Sequence, residues 1–151
     1  MPVFSLVYLS RARIECTPQQ LQDIVKSSQQ SNQKSNITGM LLVSDGYFFQ
    51  LLEGDEDTVR KLFKVITEDK RHDEVRLLLA DNVSKRYCPN WSMTLLINHE
   101  LKPVQTKDKI DSLLALSNQN YLHKDQLISD LFCRFMTVRQ LEEFRENTQT
   151  V

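Results

Sequence analysis

Cysteine is scarce in this chain of 151 residues: Cys16, Cys88 and Cys133 are three in number and far apart. No CxxC pair or Cys/His cluster joins them, which argues against a disulfide framework and against a zinc site, so no metal is expected. Glycine is as scarce, with only Gly39, Gly46 and Gly54. None of them builds a loop of consecutive backbone N–H groups able to cradle a phosphate. The net charge is −1, so no basic excess exists to neutralise a nucleic-acid backbone. No stretch approaches 18 consecutive apolar residues, and Met1-Pro2-Val3-Phe4 runs straight into a strand pattern, so no membrane span or leader is expected. The chain reads as a soluble cytoplasmic protein of single-domain length, enough to bury about 70% of its unfolded surface.

What is present is a regular succession of strand and helix patterns. Residues 3–10 alternate as a strand. Thr17-Pro18-Gln19-Gln20 is a helix start, with Thr17 as N-cap, Pro18 at the first position and Gln20 closing a capping box. That helix runs to about Lys34, with Leu21, Ile24, Val25, Ser28 and Asn32 on one face. Strands Thr38–Ser44 and Tyr47–Glu53 form a hairpin through Asp45-Gly46. Asp55-Glu56-Asp57 opens a second helix whose stripe of Val59, Leu62, Phe63 and Ile66 ends near Asp69. Strands follow at 75–80, extending toward Val83, and at 91–98. The order β-α-β-β-α-β-β predicts an α+β fold, a ferredoxin-like sheet with one added strand and both helices on one face. After Pro103 the pattern becomes helical, over about 106–116 and 123–146. The division expected is a domain at 1–98 and a helical segment at 99–151 that covers the open sheet face, meets another subunit, or both.

Gln50 stands out within Tyr47-Phe48-Phe49-Gln50-Leu51-Leu52. A buried amide costs about 1–3 kcal/mol if its donors and acceptor find no partners. Alternate residues share a sheet face, so Phe48, Gln50 and Leu52 align on one strand and Phe4, Leu6, Tyr8 and Ser10 on another. First and third strands are neighbours in this fold, which brings Tyr8 beside Gln50. Trp91 and Met93 share a face of the last strand, while Asn32 and Asp69 project from their helices toward the same layer. Each has a plain alternative: Tyr8 as core, Asn32 as a helix cap, Asp69-Lys70-Arg71-His72 as a solvated turn, Trp91-Ser92-Met93 as packing. Their convergence predicts a pocket for a flat ligand with a hydrogen-bonding edge.

These residues also resemble a known family. Leu6-Val7-Tyr8-Leu9-Ser10, Asn32 with Asn36-Ile37-Thr38-Gly39, Phe48-Phe49-Gln50-Leu51-Leu52-Glu53-Gly54, Asp69-Lys70-Arg71-His72 and Pro89-Asn90-Trp91-Ser92-Met93 occur in the order found in BLUF domains. Those are blue-light sensors that bind flavin non-covalently. The resemblance spans residues 3 to about 98. It implies that Tyr8 donates an electron and a proton after excitation, and that Gln50 bridges Tyr8 and the flavin. Gln50 would end rotated or tautomerised, with a small reversible red shift and no net redox reaction. Asn32 would hold the polar edge of the ring. Asp69, Arg71 and His72 would lie toward the ribityl and phosphate end, with Ile24, Ser28, Ile37 and Ile66 against the ring. Trp91 and Met93 would report the state of Gln50. Gln30 and Val65 stand where some relatives carry basic residues, so FAD is expected while FMN and riboflavin stay open.

Some relatives join this sensor to a cyclase or phosphodiesterase, and the residues after 98 are too few for such a domain. The expectation is therefore a non-enzyme that signals through a downstream response protein. Phe132, Met136 and Phe144 suggest a homodimer or larger ring. A ferredoxin-like acylphosphatase is the alternative enzyme, but its anion-cradling loop has no counterpart among the three glycines. A light-independent ligand-binding or interaction module is the third reading.

Overall fold

In a computed structural model the described residues are 3–13, 17–44, 46–90, 92–98, 103–119 and 124–135. The alternating runs pair into one five-stranded sheet. Its strands are β1 (Val3–Ala12), β2 (Thr38–Ser44), β3 (Tyr47–Gly54), β4 (His72–Val83) and β5 (Thr94–Asn98), in the order β4-β1-β3-β2-β5. The first four pair antiparallel, and β5 adds to β2 in parallel. This is the ferredoxin-like α+β arrangement with an added edge strand.

Helices α1 (Pro18–Lys34) and α2 (Glu56–Glu68) form where the start signals place them. Thr17 Oγ1 accepts from Gln20 N, and Gln20 Oε1 from Thr17 N, so two otherwise orphaned donors are satisfied. Asp55 caps α2 through Thr58 N. Both helices pack on the face that carries Phe4, Leu6, Tyr8, Leu41, Phe48 and Leu52. The opposite face presents Val7, Leu9, Met40, Leu42, Phe49 and Leu51. There α3 (Pro103–Ser117) and α4 (Lys124–Phe135) cover it with Ile110, Leu113, Leu127, Ile128, Leu131 and Phe132. Helices thus lie on both faces of the sheet, and Phe132 is wholly buried against Phe49, with ring centroids 4.7 Å apart. Phe132 is therefore core, and it lends no surface to a subunit contact. Met136 and Phe144 lie outside the described residues.

Two boundaries differ from the sequence reading. β4 begins at His72, three residues early, and carries two register shifts against β1. β5 begins at Thr94 and not at Trp91: its pairing with β2 starts at Thr94, and the carbonyls of Ser92 and Met93 accept from side chains of α1. Trp91 lies outside the described residues, as does the helical stretch expected beyond 135.

Gly39 is needed for close approach: a Cβ there would fall 2.0 Å from the Leu51 carbonyl oxygen. Gly39→Ala is expected to destabilise the fold by about 3 kcal/mol, the upper end of ordinary overpacking. Urea unfolding measures it, and a change below about 1 kcal/mol would show that the hairpin absorbs the methyl.

Candidate functional site

The antiparallel register sets Tyr8 directly opposite Gln50, as parity requires. Both side chains are buried, and the Tyr8 hydroxyl donates to Gln50 Oε1 through a short hydrogen bond. Gln50 Nε2 points the other way, 3.5 Å from Met93 Sδ. The amide is thus held at both ends, strongly by a hydroxyl and weakly by a thioether. Burial pushes the Tyr8 phenol far above its ordinary range, and the Asp69 charge adds to the shift. Tyr8 is therefore a neutral donor at any physiological pH. Its ring is packed against Phe63 at 5.5 Å and edge-on to His72 at 6.2 Å.

Above this pair a cavity of about 240 Å³ opens between α1 and α2. Ile24, Leu62, Val65 and Ile66 supply aliphatic walls, and Asn32 and Gln50 supply amides. Ser28 lies in the wall with its hydroxyl donating to Ile24 O at 2.8 Å. Asn32 is no helix cap: Ser35 ends α1, and Asn32 Nδ2 donates to Ser92 O at 2.8 Å. Gln29 Nε2 donates to Met93 O at 2.7 Å, a tether the sequence reading missed. Its signal was only a polar residue beside the apolar stripe of α1.

Asp69 and Arg71 form a two-pronged ion pair at the cavity, with Arg71 Nη2 2.6 Å from Oδ2 and Arg71 Nε 3.0 Å from Oδ1. The Arg71 hydrogen bond holds the Asp69 carboxyl down at about 2, so the pair is ionised. His72 lines the same cavity, but both of its ring nitrogens are engaged by protein groups. Nε2 lies 2.6 Å from Ile66 O, which can only accept, so that nitrogen carries the proton. Nδ1 then accepts from Ser10 Oγ at 2.7 Å. His72 contributes its ring and not a free polar nitrogen. Ile37, expected against the ring, is instead in the core with Phe4, Leu52 and Val59, since it sits one residue before β2 and outside the cavity wall.

The residue set fits a flavin. Aliphatic walls suit a flat aromatic ring, the amides of Asn32 and Gln50 suit an edge of mixed donors and acceptors, and an ion pair stands at the polar end. Among the described residues no group of three or more His, Cys, Asp or Glu could hold a metal.

Comparison with known proteins agrees with this chemistry. The family BLUF, described as sensors of blue-light using FAD, matches residues 3–94. The chain is 34% identical over 91 residues to the blue light- and temperature-regulated antirepressor BluF of Escherichia coli (strain K12). That match covers 60% of this chain and 23% of the relative, so this chain spans under a quarter of its length. The dark-state structure of BlrB, a BLUF protein, superimposes with a TM-score of 0.61 at 28% identity, over 76% of this chain and 83% of the other. BlrP1 of Klebsiella pneumoniae, with FMN and cyclic diGMP and no metal ions, gives a TM-score of 0.61 at 29% identity, over 75% of this chain and 30% of that one.

Proposed function

The chain belongs to the BLUF family of flavin-binding blue-light sensors, and from that premise we propose a photoreceptor whose switch is the amide of Gln50. BLUF domains bind flavin, as FAD or FMN, and the bound flavin supplies blue-light absorption and an electron acceptor. Tyr8 holds the mobile proton at its hydroxyl, hydrogen-bonded to Gln50 Oε1. A tyrosine that gives up an electron becomes a strong acid, and Oε1 is the base already in contact. Gln50 then turns or tautomerises, which reverses its donor and acceptor ends. When the amide turns, its oxygen faces the Met93 sulfur, which has no hydrogen to donate, and that contact is lost. Asn32 orients the ring, and Asp69 with Arg71 serves the ribityl and phosphate end. Trp91 joins Met93 in reading the amide.

The observation that carries the reading is the Tyr8–Gln50 pair lining the cavity, with Met93 bonded behind the amide. Light gives two states of one amide, and a partner that distinguishes them receives the signal. We assign residues 1–98 to the sensor and 99–151 to a cap and output segment, with no enzymatic activity of its own. A homo-oligomer acting on a response protein in the cytoplasm completes the proposal. No helix among the described residues is long and apolar enough to cross a membrane.

The absorption spectrum before and after blue light is the test. Purified protein is expected to be yellow and to show a small shift to longer wavelength that reverses in the dark. A flavin-loaded preparation with no spectral response sinks the proposal.

A further inference from the structure

The segment over residues 84–90 leads toward Ser92 and Met93, which bond to the pocket residues Asn32 and Gln50, yet its other anchor lies on the opposite face of the sheet. Glu53 follows Gln50 on β3 with opposite parity, so its carboxylate points away from the pocket. It is fully buried beside the layer of Val7, Met40 and Leu51. Oε1 accepts from Tyr87 N at 2.5 Å, and Oε2 accepts from Cys88 N at 3.0 Å and from Thr38 Oγ1 at 3.1 Å. Arg86 braces the same end, donating to Thr38 Oγ1 at 2.9 Å, to the Glu53 carbonyl at 3.3 Å and to Asn36 O at 2.8 Å.

A carboxylate in an apolar layer is strongly disfavoured unless its oxygens are satisfied. An apolar residue would fill the same place without that cost. What the carboxylate adds is direction: two oxygens fix two successive backbone N–H groups. Only Pro89, Asn90 and Trp91 separate this anchor from Ser92 and Met93, which Asn32, Gln29 and Gln50 hold from the other side. We propose that Glu53 is a positioning residue, which clamps the loop at Tyr87 and Cys88 from behind the sheet and so sets where Ser92 and Met93 meet Asn32 and Gln50. The inference rests on the reading of Gln50 and Met93 above.

The clamp is sensitive to pH. Burial pushes the Glu53 carboxyl up to about 7, against the downward pull of the Tyr87 and Cys88 amides, Thr38 and Arg86. The groups around it are the Cys88 thiol, itself raised by burial and by Glu53, and the Tyr87 phenol, which donates to Asp125 O on α4. From β1 only Ser5 faces it, with Asp81 one strand further. With the loop lifted, Glu53 meets water and returns to its ordinary range, near 4.5. The closed loop therefore binds the proton more tightly, so closure is strongest below about pH 4.5, weakens as pH rises toward about 7 and changes little above that.

Amide hydrogen exchange in the dark tests this without any photochemistry. In Glu53→Ala the amides from Tyr87 to Met93 are expected to open about tenfold or more faster than in the natural protein. Corrected for intrinsic rates, loop opening in the natural protein should rise between about pH 5 and about pH 7 and level off above that, and Glu53→Gln should abolish that rise. Glu53→Gln keeps one acceptor, so it also covers the case in which Glu53→Ala does not fold. Loop exchange within about twofold of the natural protein, an increase equal to that in β1, or a retained pH dependence in Glu53→Gln would each overturn the assignment. A failed red shift with an altered loop would instead count against the light-sensing reading alone.

Discussion

Gln50→Leu protein is expected to bind flavin and to stay spectrally still under blue light. Leucine nearly matches glutamine in size, so the cavity floor keeps its shape, but it offers neither donor nor acceptor. The Tyr8 hydroxyl loses its acceptor in a buried site, at a cost of about 1–3 kcal/mol of stability. The Met93 sulfur loses the Gln50 amide it accepts from. No element with two states remains. Tyr8→Phe is the partner experiment: the ring keeps its contacts with Phe63 and His72 while the proton source disappears. It too should lose the normal photocycle. A red shift of natural size in Gln50→Leu would remove the amide from the mechanism, and one in Tyr8→Phe would remove the tyrosine.

Phe132→Ala carries the second large effect. The ring is wholly buried between α4 and the sheet, tilted against Phe49 at 54°. Truncating such a residue costs about 3–5 kcal/mol, set against about 5–15 kcal/mol for a whole domain. Because the contact lies within one chain, the loss should be the same in dilute and concentrated protein. Chemical unfolding at two protein concentrations decides it. A loss that grows on dilution would mean that Phe132 supports a contact between subunits.

Most of the sheet is legible in the parity of its strands. Parity places Tyr8 beside Gln50, and the capping box at Thr17 and Gln20 places α1 to the residue. Long alternating runs and paired cap residues are local signals, and local signals survive folding. The misses were tertiary. Trp91-Ser92-Met93 alternates as a strand does, but Asn32 and Gln29 take the carbonyls of Ser92 and Met93 before a strand neighbour can. His72 is a buried, doubly bonded ring because Ser10 reaches it from 62 residues away and the Ile66 carbonyl at the end of α2 meets it from six. Glu53 closes the strand Tyr47–Glu53 in the sequence, with no partner assigned to it. Its signal was a charge at an inward position of an apolar strand, the same kind of anomaly that drew attention to Gln50.

The two margins of the sheet differ in what they allow. β4 is a margin twelve residues long, but register slips break it twice and Glu74 sits at φ 50°, a conformation costly for that residue. Such a margin cannot template a foreign strand in continuous register. β5 is regular but only five residues long. Copies of this chain are thus discouraged from joining edge to edge into fibrils. Any contact between copies would then fall on the outer surfaces of the helices, where it can be made and released without unravelling the sheet.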